Sequence, residues 1–158
     1  MANPVFVPVT GIVRDVSSFQ NQCCSQMLTL MTRNGIVNFL IDSETFVVDN
    51  VQLRRGMRIT AFYDQNLPVP LIYPPRYQAA IITQTAPNQN VMADFFDRNL
   101  SAVNHSLRLN LGPSTQITTA NGQRFFCRPS GQYLVVFYGP TTRSLPPQTT
   151  PQRVIVLC

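Results

Sequence analysis

Residues able to do chemistry are few in this chain. One histidine, His105, and seven acidic side chains supply the proton-transfer groups, set against twelve cations that are all arginine. General acid–base or nucleophilic catalysis needs two or three such groups converging on one point. Asp94 and Asp97 flank Phe95-Phe96, and on a strand that spacing puts them on opposite faces, which argues against a shared carboxylate site. His105 lies in Asn104-His105-Ser106 and reads as a solvated residue near a turn, more than as a ligand or a base. The sequence contains no Gly-rich phosphate loop, no Gly-x-Ser-x-Gly and no His-Glu-x-x-His, the spacings that carry phosphate, acyl-transfer or zinc chemistry. The expectation is a protein that is not an enzyme and has no catalytic residue, no cofactor and no metal.

Thiols are the remaining reactive groups. The four cysteines stand at 23, 24, 127 and 158, and none forms the Cys-x-x-Cys spacing of a zinc site or a redox pair. Cys23 and Cys24 are adjacent, within a polar stretch from Ser17 to Ser25 that is expected to loop out between the first two strands. Bonding neighbouring cysteines to each other strains the peptide, so their partners must lie elsewhere. Cys158 follows an apolar run directly and is free to reach another molecule. Cys23, Cys24 and Cys158 are therefore the candidates for disulfides between subunits, with reduced thiols in a cytosolic protein as the competing reading. Cys127, in Phe125-Phe126-Cys127, is expected to be a small buried hydrophobe.

Composition bounds the elements that must position these groups. Charged residues are 12% of the 158, about half the usual share of roughly 25%, which excludes a charge-rich disordered chain. Thr, Gln, Asn and Pro take their place, a mixture suited to strands and turns. The net charge of +5 comes from a shortage of acids and not from a basic cluster, since the arginines are scattered singly apart from Arg54-Arg55. A weakly basic solvated surface is favoured over a nucleic-acid footprint. Residues Met1 to Gly11 have neither a charged n-region nor an apolar h-region, so no secretory signal is expected. The longest apolar runs, such as Tyr133 to Tyr138, are too short to cross a bilayer, and no membrane span is expected.

Helical periodicity is almost absent, and 13 prolines punctuate the chain, so the protein is expected to be all-β. Strand patterns occur at Gly11-Val16, Gln26-Thr32, Ile36-Ile41, Thr45-Val48, Met57-Tyr63 and Ala79-Thr83. A second series follows at Val91-Phe96, Ser106-Leu111, Thr115-Thr118, Arg124-Cys127, Tyr133-Tyr138 and Arg153-Leu157. Asn34-Gly35 and Asn121-Gly122 mark tight turns.

The two series read as one unit written twice. Gly56 to Tyr63 aligns with Gly131 to Tyr138, each opening on Gly and closing on Phe-Tyr. A Pro-Pro pair follows in both, at Pro74-Pro75 and Pro146-Pro147, then a final apolar strand; upstream, Thr45-x-Val47 matches Thr115-x-Ile117. Units of this size suggest two tandem five-stranded barrels of the OB type, related by internal duplication. The expected layout is an extended N-terminal arm at 1–10, a first barrel at 11–84, a linker at 85–90 and a second barrel at 91–158.

The elements Phe137-Tyr138-Gly139-Pro140-Thr141-Thr142-Arg143-Ser144-Leu145-Pro146-Pro147, with Tyr63-Asp64 and Tyr73-Pro74-Pro75-Arg76-Tyr77, resemble a poorly characterised duplicated β module of spore-forming Firmicutes, often found in exported or envelope-associated chains. The resemblance covers nearly the whole chain and brings no established activity. It implies a spore or cell-surface layer or filament as the setting, with a cytoplasmic location as the alternative.

Two kinds of partner follow from these residues. The first is a copy of the same chain, meeting the Pro-broken apolar arm at Val5, Phe6 and Val7, or the strand face of Tyr133, Val135 and Phe137. Both faces of that strand are apolar, so it calls for an extra cover, from the other half, the N-terminal arm or a neighbouring chain. Its counterpart, with Arg58, Thr60 and Phe62 on one side, is expected to keep that side wet. The second partner is single-stranded nucleic acid, with Tyr73, Arg76, Tyr77, Arg124, Phe125 and Arg128 as stacking and phosphate contacts.

Overall fold

In a computed structural model that describes residues 3–158, the chain divides after Thr85 into two compact units. Every regular element among the described residues is a strand, apart from one 3₁₀ turn at Val48–Asn50. The first unit contains β1 (Phe6–Phe19), β2 (Gln22–Thr32), β3 (Gly35–Ile41), β4 (Phe46–Val47), β5 (Arg58–Asp64), β6 (Arg76–Gln78) and β7 (Ile81–Gln84). They form one sheet in the order β4-β7-β5-β1-β2-β3-β6. The second unit contains β8 (Asn90–Phe96), β9 (Arg108–Leu109), β10 (Gln116–Thr119), β11 (Gln132–Tyr138), β12 (Gln148–Thr149) and β13 (Arg153–Leu157). Its sheets are β10-β13-β11-β8 and the pair β12-β9. No sheet closes on itself as a barrel, and the first unit has seven strands where the sequence suggested five. Segment 76–84 adds one of them: it splits at Ala79-Ala80 into β6, parallel to β3, and β7, antiparallel to β5; the short β4 is the other.

Of the extended N-terminal arm expected at 1–10, Phe6 to Thr10 belong to β1, while residues 1 and 2 lie outside the described residues. Phe6 to Ile12 pair with β5, and from Ile12 onward β1 pairs with β2. Because residues 6–11 have a sheet neighbour on one side only, the missing N–H of Pro8 is tolerated there. The stretch expected to loop out at Ser17–Ser25 is also mostly strand. Its turn is Gln20-Asn21, both left-handed (φ 53° and 57°), a conformation that Asn accepts better than most residues. Phe19 faces Gln22 while Ser18 faces Gln26, so Cys23, Cys24 and Ser25 bulge from the ladder. At the β2–β3 turn Gly35 carries the positive φ (113°), and Thr32 Oγ1 donates to its carbonyl at 2.7 Å.

Each unit contains the same pattern of strand pairing. β4 runs parallel to β7 as β10 runs parallel to β13, and β5 and β11 are antiparallel to both of their sheet neighbours. Thr60 faces Thr83 and Thr10, where Val135 faces Ile155 and Ala93. A side-chain clamp recurs: Thr45 Oγ1 donates to Ala79 O (2.8 Å) and accepts from Asp42 N (3.2 Å), and Thr115 Oγ1 donates to Pro151 O (2.7 Å) and accepts from Gly112 N (3.3 Å). Gly56 N donates to Val13 O and Gly131 N to Phe96 O, each at 2.8 Å.

Each unit has its own core. Val13, Leu28, Leu30, Phe39, Ile59 and Ile82 centre the first, and Phe96, Leu107, Leu134, Val136, Val154 and Val156 the second. The opposite faces of the central strands are buried too. Thr60 and Phe62, expected to lie on a wet face, are 1% and 0% exposed. The Thr60 hydroxyl lies 2.8 Å from that of Thr10, which satisfies a polar group that burial would otherwise penalise.

Candidate functional site

Exposed apolar side chains concentrate in the connection between β5 and β6. β5 ends at Asp64, whose Oδ1 accepts from the backbone N–H groups of Val5 and Asn66, both at 3.0 Å. The chain then runs Leu67-Pro68-Val69-Pro70-Leu71-Ile72-Tyr73-Pro74-Pro75. Four prolines withhold backbone donors and keep the loop from joining a ladder. Leu71 is fully exposed and Tyr73 is 86% exposed, while Leu67, Val69 and Ile72 show about half their surface. Apolar residues crowded this densely on a surface mark a contact site, whereas isolated ones need no explanation.

Beneath the loop lies an open groove of about 470 Å³ lined by Val69, Leu71, Tyr73, Arg76 and Tyr77 among others. Tyr77 stacks on Tyr63 with ring centroids 3.9 Å apart and tilts against Phe39 at 5.9 Å. Burial pushes the Tyr63 phenol above its ordinary value, and the neighbouring Tyr77 phenol adds to the effect through charge and hydrogen bonding. The Arg76 guanidinium sits 5.2 Å from the Phe19 ring centroid, a distance at which the ring face attracts a cation. The groove thus offers apolar walls, an aromatic floor and one permanent positive charge. The signal in the sequence was the run of large apolar residues between prolines, which strand patterning alone passes over.

Of the expected nucleic-acid contacts, Tyr73, Arg76 and Tyr77 come together here. Arg124, Phe125 and Arg128 belong to the second unit. Phe125 is half-buried against that unit's core, and the Arg124 guanidinium lies 5.6 Å from the ring of Phe126, not Phe125. The stretch Arg124-Cys127, read as a strand, is a loop touching the sheet through a single bridge, Thr118 to Arg124. Strand alternation is lost with it, and Cys127, expected to be buried, is exposed.

All four cysteines are free and exposed, Cys23 and Cys24 in the β2 bulge and Cys158 beyond β13. Of the proposed association residues, Val5 is exposed, and Phe6 and Val7 are half-buried at the start of β1. Val135 and Phe137 are buried in the single chain at 0% and 3% exposure, so they offer no surface to a second copy. Tyr133 is half-buried, with Phe95 edge-on at 5.4 Å.

Besides Asp64, three carboxylates are engaged by nearby backbone N–H groups. Asp94 accepts from Phe95 N and Asn104 N, Asp97 from Asn99 N and Ser101 N, and Asp42 from Glu44 N. His105 is an exposed turn residue with φ 63°. Among the described residues no three His, Cys, Asp or Glu side chains gather as metal ligands, and no helix is long and apolar enough to cross a membrane. No family model matches the chain, and comparison with curated proteins and with solved structures finds no match either.

Proposed function

We propose that the protein is a non-enzymatic structural module that associates with copies of itself, built as two OB-like units related by internal duplication. The observation that carries this reading is the exposed apolar loop Leu67–Tyr73. Water contact with that many large side chains is unfavourable at roughly 25 cal/mol per Å², and a second copy bringing the same loop removes it on both sides. With charged residues at only 12%, the association rests on apolar and neutral polar contacts that salt does not screen. The exposed thiols of Cys23, Cys24 and Cys158 add a covalent route. Two of them on different copies join as a disulfide when dioxygen or a small disulfide accepts the electron pair and both protons. The setting that fits such a polymer is a spore or cell-surface layer or filament.

Light scattering coupled to size exclusion tests this over a concentration series, with and without reductant. The wild type gives a mass that rises with concentration. Leu71→Asp weakens association by at least about tenfold, as expected for a central apolar contact. A monomeric wild type at every concentration, or an unchanged mass for Leu71→Asp, refutes the reading. The part of the mass that reductant removes belongs to the cysteines.

The convergence of Tyr73, Arg76 and Tyr77 in one groove favours a second reading, binding of single-stranded nucleic acid. On that reading an oligo(dT) gel shift weakens steeply with salt and is lost in Arg76→Ala. Absence of a shift at low salt eliminates it.

A further inference from the structure

Cys23 and Cys24 are the thiols of the first unit, since Cys127 and Cys158 belong to the second. Both are exposed and free, and one peptide unit joins them. In a regular strand that connection keeps the sulfurs apart, because consecutive side chains point to opposite faces of the sheet. β2 is not regular here. Phe19 faces Gln22 and Ser18 faces Gln26, so Cys23, Cys24 and Ser25 stand on β2 where β1 offers no residue to match them. A bulge suspends the alternation, leaves its extra residues out of the ladder and re-aims their side chains. None of residues 17–26 belongs to the unit's core, so packing does not turn either thiol inward.

The chemistry of the pair selects its ligand. A direct bond between the two sulfurs closes a small ring around a trans peptide and strains it. Inserting one atom between the sulfurs enlarges that ring and relieves the strain. Zinc needs four ligands, and among the described residues no third His, Cys, Asp or Glu joins the two thiols. From Val16 to Gln26 the two cysteines are the only ionisable side chains, and the charge that approaches this segment, the Arg76 guanidinium at the Phe19 ring, is positive. A neutral, thiophilic atom that is satisfied by two sulfurs meets all of these conditions, since soft ligands prefer soft centres.

We propose that Cys23 and Cys24 form a dithiol site for trivalent arsenic, taken up as arsenite or as a monoorganic arsonous acid. Two arsenic–oxygen bonds break and two arsenic–sulfur bonds form. Each thiol proton leaves with a hydroxyl group as water, arsenic stays trivalent and neither sulfur is oxidised. Once the first sulfur is bound the second bond is intramolecular, which strengthens binding by roughly 10²–10⁴-fold over a single thiol. The site does not depend on whether copies of the chain associate; where a disulfide joins them, occupancy withdraws these two thiols from that route.

The test is a titration of the fully reduced full chain with phenylarsine oxide, read by intact-mass spectrometry and by thiol count. One arsenical per chain is expected, with two of the four thiols lost to labelling. An excess of 2,3-dimercaptopropanol reverses it and the same excess of 2-mercaptoethanol does not. Cys23→Ser and Cys24→Ser each weaken binding by about a hundredfold or more, whereas changing Cys127 and Cys158 together to Ser leaves it as in the wild type. Repeating the titration in concentrated urea separates the folded bulge from the bare sequence, and the native chain is expected to bind at least as tightly as the unfolded one. Binding that appears only in urea means that the ladder holds the sulfurs on opposite faces, and overturns the site. Wild-type affinity in Cys23→Ser or Cys24→Ser, or lost binding when Cys127 and Cys158 are replaced, overturns it as well.

Discussion

Val135→Asp is expected to unfold the second unit under conditions in which the wild type is stable. Val135 sits mid-strand in β11, opposite Ile155 and Ala93, and all three are buried. A carboxylate placed there either stays charged without a partner or takes up a proton, and both routes cost several kcal/mol. Losses above about 4 kcal/mol are the mark of such a change, against a total of roughly 5–15 kcal/mol for a domain. Urea denaturation of the full chain followed by circular dichroism measures it. The expected result is a lost or strongly shifted transition for the second unit, with Val135→Thr intermediate because it keeps the shape and adds one hydroxyl. A folded Val135→Asp with an unchanged midpoint but reduced self-association would return this face to the surface and restore it as a contact between copies.

The features that the two units have in common were legible because they are written in residues with few substitutes. Gly56 and Gly131 both have positive φ, at 92° and 71°, and Thr45 and Thr115 make the same two hydrogen bonds. Other features left no pattern to read. β6, β9 and β12 span two or three residues, shorter than any alternation can register, and their partners are set by where Pro74-Pro75 and Pro146-Pro147 direct the chain. Burial on the second face of β5 was hidden because Arg58 and Thr60 look solvated in sequence, yet Thr60 is satisfied by Thr10, fifty positions away. Cys127 was misplaced for the opposite reason: three apolar residues in a row look like a strand, but in 124–127 only Phe125 packs on the core.

Gly11→Ala is the second change expected to act strongly, through sterics alone. Gly11 lies where β1 passes from its ladder with β5 to its ladder with β2: it faces Ile59 on one side, and its neighbour Ile12 faces Met31 on the other. A Cβ at this position would fall 2.3 Å from the Met31 carbonyl oxygen and 3.0 Å from Leu30 Cγ. The nearer atom is backbone, so relief requires moving β1 away from β2 and stretching hydrogen bonds on both sides of the crossing. Overpacking of a close-packed interior costs about 1–3 kcal/mol, and the upper end applies where the obstacle is a ladder that cannot rotate aside. For a domain of this size each kcal/mol lowers the melting temperature by roughly 4–8 °C. Gly122→Ala supplies the comparison. There the backbone is left-handed (φ 86°) but no heavy atom lies within 4 Å of the added Cβ, so the cost is conformational and about 1–2 kcal/mol. Thermal melts of the full chain should therefore place Gly11→Ala below Gly122→Ala, and both below the wild type. An order in which Gly11→Ala is the milder change would mean that β1 and β2 are further apart at this crossing, and that the long first strand does not bridge the two ladders as closely as its register requires.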